Sequence, residues 1–151
     1  MRRLVISCDG TWNDPADRTN VWKVREVVAR TPEQPEPYYD PGVGTAVGDR
    51  ILGGAFGDGL SRNIREAYRW LCKTYQDGDD LFLFGFSRGA FTVRSLAGFV
   101  RTIGLLPAGQ LEAIDAGYDL YRSRVDKNNT KRIRDLQEFQ AKYGSRPIEQ
   151  I

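Results

Sequence analysis

Leu81-Phe82-Leu83-Phe84-Gly85-Phe86-Ser87-Arg88-Gly89-Ala90 is the stretch on which the fold turns. Four consecutive apolar residues, with glycine after them, read as a strand that is apolar on both faces. Such a strand belongs in the middle of a parallel sheet covered by helices. Downstream, Ala90, Val93, Ala97, Val100 and Ile103 recur at helical spacing, and Gly104 is placed to end the helix. The ten residues therefore predict strand, tight turn and helix in immediate succession, with Ser87 on the turn.

Upstream, Ile64, Ala67, Tyr68, Leu71, Cys72 and Tyr75 mark an amphipathic helix of about four turns, ended by Asp77-Gly78-Asp79. Before it, residues 42–59 hold seven glycines and read as a loop. Residues 3–8, Arg-Leu-Val-Ile-Ser-Cys, read as a buried strand closed by Asp9-Gly10. From Asn20 to Arg30, Val21, Val24, Val27 and Val28 share a helical face, with Thr19 or Asn20 as the cap and Thr31-Pro32 as the stop. Tyr38-Tyr39 suggests a brief strand before Asp40-Pro41-Gly42. Two more polar helices are expected near 110–122 and 130–143, and Ser145–Ile151 has the look of an approach to another strand. The order fits a layered α/β fold with a mainly parallel sheet. Sheets commonly have ~5–6 strands, so two firm strands and one brief one read as the N-terminal portion of a single larger domain, residues 1–151 being that portion.

Bulk properties narrow the function classes. The chain has 151 residues, 40% hydrophobic and 28% charged, as in an ordinary globular domain. A net charge of +2 gives no electrostatic reason to expect nucleic acid or an anionic membrane as partner. Arg62, Arg65 and Arg69 fall on the polar face of the second helix and read as a solvated face. No apolar run approaches the ~18–20 residues of a spanning helix, and Met1-Arg2-Arg3 leads into an apolar stretch too short for a signal peptide. Cytoplasmic synthesis is the expectation, with export by a route that needs no signal peptide left open. Cys8 and Cys72 read as buried small hydrophobes, and with no histidine a zinc site or other metal centre is not expected, nor is a cofactor.

Gly85-Phe86-Ser87-Arg88-Gly89 matches G-x-S-x-G in the strand–turn–helix setting that a nucleophile elbow needs. There a serine sits in strained backbone geometry with its hydroxyl projecting above the sheet. Gly85 and Gly89 are needed because side chains would collide with the neighbouring strand and helix. The helix N-terminus lends partial positive charge, and the N–H of Arg88 is the expected oxyanion donor. A second donor is expected from the loop Asp9-Gly10-Thr11-Trp12-Asn13, through Gly10 or Thr11. The plainer readings are a Gly-Ser turn without chemistry, and a strand-ending Asp-Gly turn with Trp12 packed on the core. An apolar strand followed by Asp9-Gly10-Thr11 is also similar to the D-x-D-G-T motif of haloacid dehalogenase-like phosphatases, but Ser7 stands where the phosphoryl acceptor would be. Gly42-Val43-Gly44-Thr45-Ala46-Val47-Gly48 misses G-x-G-x-x-G by one residue, and no Gly-Lys-Ser/Thr follows it, so a P-loop is excluded.

Three blocks carry a resemblance: Ser7-Cys8-Asp9-Gly10-Thr11-Trp12-Asn13, Tyr39-Asp40-Pro41-Gly42-Val43-Gly44-Thr45, and Phe84-Gly85-Phe86-Ser87-Arg88-Gly89-Ala90. Together they resemble a group of largely uncharacterised α/β-hydrolases related to the type VI secretion phospholipase effectors, over residues 2 to 110. The resemblance implies an α/β-hydrolase-like three-layer fold, Ser87 as nucleophile and hydrolysis of a carboxylic ester. A small-molecule or lipid ester is the implied substrate, with peripheral membrane contact where it is a lipid. The family's acidic triad residue and histidine lie further along than Ile151, so a C-terminal part or a partner chain is expected to supply them. The alternative is a non-catalytic binding domain of the same fold, or an inactive fragment.

Overall fold

The computed structural model describes residues 2–10, 15–32, 34–42, 55–123 and 130–148. Three parallel strands, β1 (Arg3–Cys8), β2 (Tyr38–Asp40) and β3 (Asp80–Gly85), form a sheet in the order β2-β1-β3. Helix α1 (Asn20–Ala29) links β1 to β2, and α2 (Ala55–Thr74) precedes β3. After β3 come α3 (Arg88–Ile103), a 3₁₀ turn at Ala108–Ala113, α4 (Ile114–Arg122) and α5 (Thr130–Tyr143). Thr19 caps α1, its hydroxyl accepting from the N–H of Trp22 at 3.1 Å.

Alternation along β1 sorts the layers. Leu4, Ile6 and Cys8 point into a core built with α2 and α3, where Ile64, Ala67, Tyr68, Leu71, Leu96 and Phe99 are buried. In register with Leu4 and Ile6, Leu81 and Leu83 of β3 pack against the same core. Val5 and Ser7 face the other way, toward α1, and so do their register partners Phe82 and Phe84. Phe99 sits at the centre of an aromatic group, with the rings of Tyr68, Tyr118 and Tyr121 at 4.2, 5.3 and 5.5 Å. The Tyr68 hydroxyl donates to the Gly104 carbonyl at 2.7 Å, which satisfies a polar atom deep in that core.

The amino end of the sheet is tied in more than one place. At the amino end, Arg2 donates to the Thr74 carbonyl at 2.8 Å and lies 3.3 Å from the buried carboxylate of Asp79, joining the α2–β3 turn to the start of β1. Beyond the far end of α3, Gly104 (φ +83) turns the chain so that Leu105 pairs antiparallel with Arg146. Ser145 donates to the Ile103 carbonyl at 2.7 Å.

Five expectations change. β3 is not central: β1 is, and β3 forms an edge of the described sheet, with Phe82 42% and Phe84 36% exposed. An apolar strand does not encode which neighbours it has, and α1 covers β1 and β2 while leaving β3 bare on that face. The glycine-rich loop is also shorter, because α2 begins at Ala55 and takes Gly57 and Gly59 into its first turns. Val27 is 68% exposed, so the buried stripe of α1 is narrower than its valines suggest. Arg65 is not simply solvated, since it donates to Asp115 at 2.6 Å and lies over the Tyr118 ring. From Ser145 to Ile148 the described chain forms an isolated bridge rather than a strand.

Candidate active site

Ser87 stands between β3 and α3, at φ 53° and ψ −118°, where its side chain is exposed. Positive φ is costly for a residue with a Cβ, of order 1–3 kcal/mol, and persists only where surrounding structure enforces it. Here the enforcement is visible. The N–H of Phe86 donates to the Cys8 carbonyl at 3.0 Å, holding the strand side of the turn on β1. The N–H of Gly89 donates to the Phe86 carbonyl at 2.8 Å, closing the helix side. A Cβ on Gly85 would lie 2.6 Å from the backbone of Ala90, and one on Gly89 would run into the Cys8 carbonyl. Both glycines are thus required by close backbone approach. Ser87 is the N-cap of α3, yet its hydroxyl makes no capping hydrogen bond.

The carboxyl end of β1 meets this turn directly. The position a Gly89 Cβ would take is also 2.7 Å from the Asp9 carbonyl, so Asp9 and the buried Gly10 lie beside the start of α3. Gly42, at φ +91, approaches the same backbone from β2, where a side chain would strike the Gly10 carbonyl. Thr11, Trp12 and Asn13 lie outside the described residues, as does Val43–Gly48 of the glycine-rich stretch. Arg88 opens α3 as its first residue.

A polar group that sequence reasoning took for turn residues lies alongside. Asp9 is 1% exposed, and its Oδ2 accepts from the hydroxyls of Thr19 and Tyr39, each at 2.8 Å. Its buried Oδ1 has no hydrogen-bond partner among the described residues. Asp40, at the end of β2, accepts from the N–H of Gly42 at 2.8 Å. Burial pushes the Asp40 carboxyl up, and the Gly42 hydrogen bond opposes this. A usable signal existed: in open parallel sheets, ligands bind outside the carboxyl ends of the strands where the connections diverge. From β1 the chain runs to β2 on one side and pairs with β3 on the other, so Asp9, Asp40 and Ser87 all cluster at that point.

Cys8 is no rival nucleophile. Its thiol is wholly buried and pushed up by burial, with Asp40 and Asp9 adding to the effect. Cys72 is likewise pushed up to about 11, chiefly by burial. Among the described residues no group of three or more His, Cys, Asp or Glu could hold a metal, and no helix is long and apolar enough to cross a membrane.

Fold and site together define an α/β protein with a parallel sheet whose conspicuous feature is a strained serine between strand and helix. Comparison with known proteins assigns the lineage: residues 2–150 match the T6SS phospholipase effector Tle1-like catalytic domain, and the chain belongs to that family. It is also 30% identical over 138 residues to an uncharacterized protein of Saccharomyces cerevisiae, YEL023C, covering 80% of this chain. The chain spans 20% of the length of that relative. No solved structure matches.

Proposed function

We propose that this chain carries the nucleophile part of a serine hydrolase of the α/β-hydrolase class that cleaves carboxylic esters, with lipid and phospholipid esters as the substrate class. The observation that carries the reading is Ser87 itself: a non-glycine residue at φ 53°, exposed, and flanked by two glycines that admit no side chain. Family membership supports the substrate class, because the family is named for phospholipase effectors. In the proposed reaction the Ser87 Oγ attacks the ester carbonyl while a base takes its proton, giving an acyl-serine and releasing the alcohol. The N–H of Arg88 and a backbone N–H from Gly10 or Thr11 are assigned to the oxyanion.

The base is the missing part. The chain contains no histidine, and imidazole is the usual group matched to this proton transfer at neutral pH. Base and orienting acid are assigned to polypeptide outside this chain. The chain alone should therefore turn over p-nitrophenyl butyrate or a fluorogenic phospholipid barely above background, since loss of the base commonly costs ~10⁴–10⁶ in rate. Added imidazole, able to reach the exposed Ser87, should raise turnover by the parent chain more than by Ser87→Ala. Robust Ser87-dependent turnover without imidazole would show that the chain supplies its own base. Equal imidazole stimulation of both proteins would remove Ser87 from the chemistry.

A further inference from the structure

The first turn of α3 presents an aromatic ring that the core does not take. Phe91 is 58% exposed, although Thr92 and Val93 beside it are buried. Phe91 and Ser95 follow one another at i and i+4 on one stripe of the helix, roughly 6 Å apart along its axis, and Ser87, the N-cap, stands about one turn before Phe91. That stripe leads from the Ser87 turn into a cavity of about 380 Å³ between α2, α3 and α4. Small-molecule sites are commonly of about 300–1,000 Å³.

The cavity is graded in polarity. Its deep wall is made by Ile64 of α2 and the ring of Tyr118 of α4, 2% and 6% exposed. Leu60 and Phe91 extend the apolar surface outward, and Tyr121 lies along the α3 side. Polar groups gather toward the rim, where the Arg122 guanidinium donates to the Ser61 hydroxyl at 3.3 Å. The helix directions fix which end the rim is. Ser61 pairs with Tyr118 and Arg122 while Arg65 pairs with Asp115, so α2 and α4 run antiparallel. The start of α2, the end of α4 and the start of α3 therefore share the carboxyl end of the sheet, where Ser87 lies.

We infer that this cavity is the acyl-chain subsite: the aliphatic chain of the ester runs from Ser87 along Phe91 and enters between α2, α3 and α4 tail first. The ester carbonyl then rests at the Ser87 turn, the methylenes replace water against Phe91, Leu60 and Ile64, and the polar head stays near Ser61 and Arg122. The exposure of Phe91 has a reason on this account, since substrate covers it. The inference rests on the hydrolase reading for the direction in which the chain lies, but its test does not depend on catalysis.

The test is a fluorescence titration of the 151-residue chain with cis-parinaric acid, followed by displacement. Saturable binding is expected, with dodecanoate displacing the probe and butyrate failing to. Phe91→Asp, an exposed position where a carboxylate in the first helical turn is well tolerated, should weaken binding at least tenfold. Ser95→Phe, which fills the cavity, should do the same, with circular dichroism confirming that the helices persist. Phe84→Asp, on the exposed apolar surface of β3, should leave affinity within twofold. No saturable binding by the parent, or undiminished binding by both Phe91→Asp and Ser95→Phe, would overturn the inference. So would an equal loss in Phe84→Asp, which would mean adsorption to any exposed apolar surface. Ester turnover that ignores Ser87, with binding that obeys Phe91 and Ser95, would sink the hydrolase reading and leave the subsite standing. The reverse pattern would sink the subsite alone.

Discussion

Phe84 and Phe99 are the same residue type, fifteen residues apart in one strand–turn–helix region, and they meet opposite environments. Phe99, on α3, is wholly buried against Tyr68, Tyr118 and Tyr121. Phe84, on β3, is 36% exposed beside Phe82 at 42%. Helices α2 and α3 cover one face of the sheet, with α4 and α5 packed behind them, whereas α1 covers β1 and β2 on the other and stops short of β3. The difference teaches that stability resides on the helical side, and that the edge beside the Ser87 turn is an apolar surface lacking a cover among the described residues. An uncovered apolar edge strand is a template for pairing with further chain.

The sharpest way to break that comparison is to truncate both rings. Phe99→Ala should lose about 3–5 kcal/mol of unfolding free energy, because a fully buried ring leaves a cavity in a packed cluster. A loss below about 1 kcal/mol, measured by urea titration, would mean that the helical side is not the stabilising one. Gly89→Ala should come next, at about 2–3 kcal/mol, since the added Cβ meets the rigid Cys8 carbonyl of β1 rather than a side chain that can move. Phe84→Ser should change stability by under about 1 kcal/mol and raise the concentration at which the chain stays monomeric in light scattering. A loss as large as that of Phe99→Ala would show the edge to be covered after all.

The smallest effect concerns pH. Burial raises the Asp40 carboxyl above its ordinary 3.8, so in the window just above that value the folded chain holds a proton that the unfolded chain has released. Stability contributed at this site is therefore full below pH 3.8 and falls as pH rises through the raised value. Asp40→Asn, which can still accept from Gly42, should flatten the stability–pH curve in that window. An unchanged slope would assign it to other groups.

Much of this was readable from residue types alone, for reasons that differ by element. The Ser87 turn was legible because a buried run, two glycines and a helical period abut within ten residues, and each constrains the next. β1 and α1 were legible from short-range patterns, with Thr19 one of the two residues expected to cap the helix. The position of β3 was not, because strand order depends on which elements cover it, and Leu81–Phe84 reads alike at centre or edge. The early start of α2 was hidden by Gly57 and Gly59, whose weak helical preference is overridden there. Asp9 and Asp40 looked like turn residues, since their meeting depends on β1 pairing with β2 thirty residues away.

The central claim is that Ser87 is the nucleophile, and the most direct measurement is the mass of the chain after acylation. The 151-residue protein is incubated with p-nitrophenyl butyrate and imidazole, freed of both by gel filtration, and mapped by peptide mass spectrometry. With the base withdrawn, an acyl-serine should persist. The account predicts one butyryl group per chain, located on Ser87 and absent from Ser87→Ala. A butyryl group on another residue, or equal labelling of the variant, would contradict it.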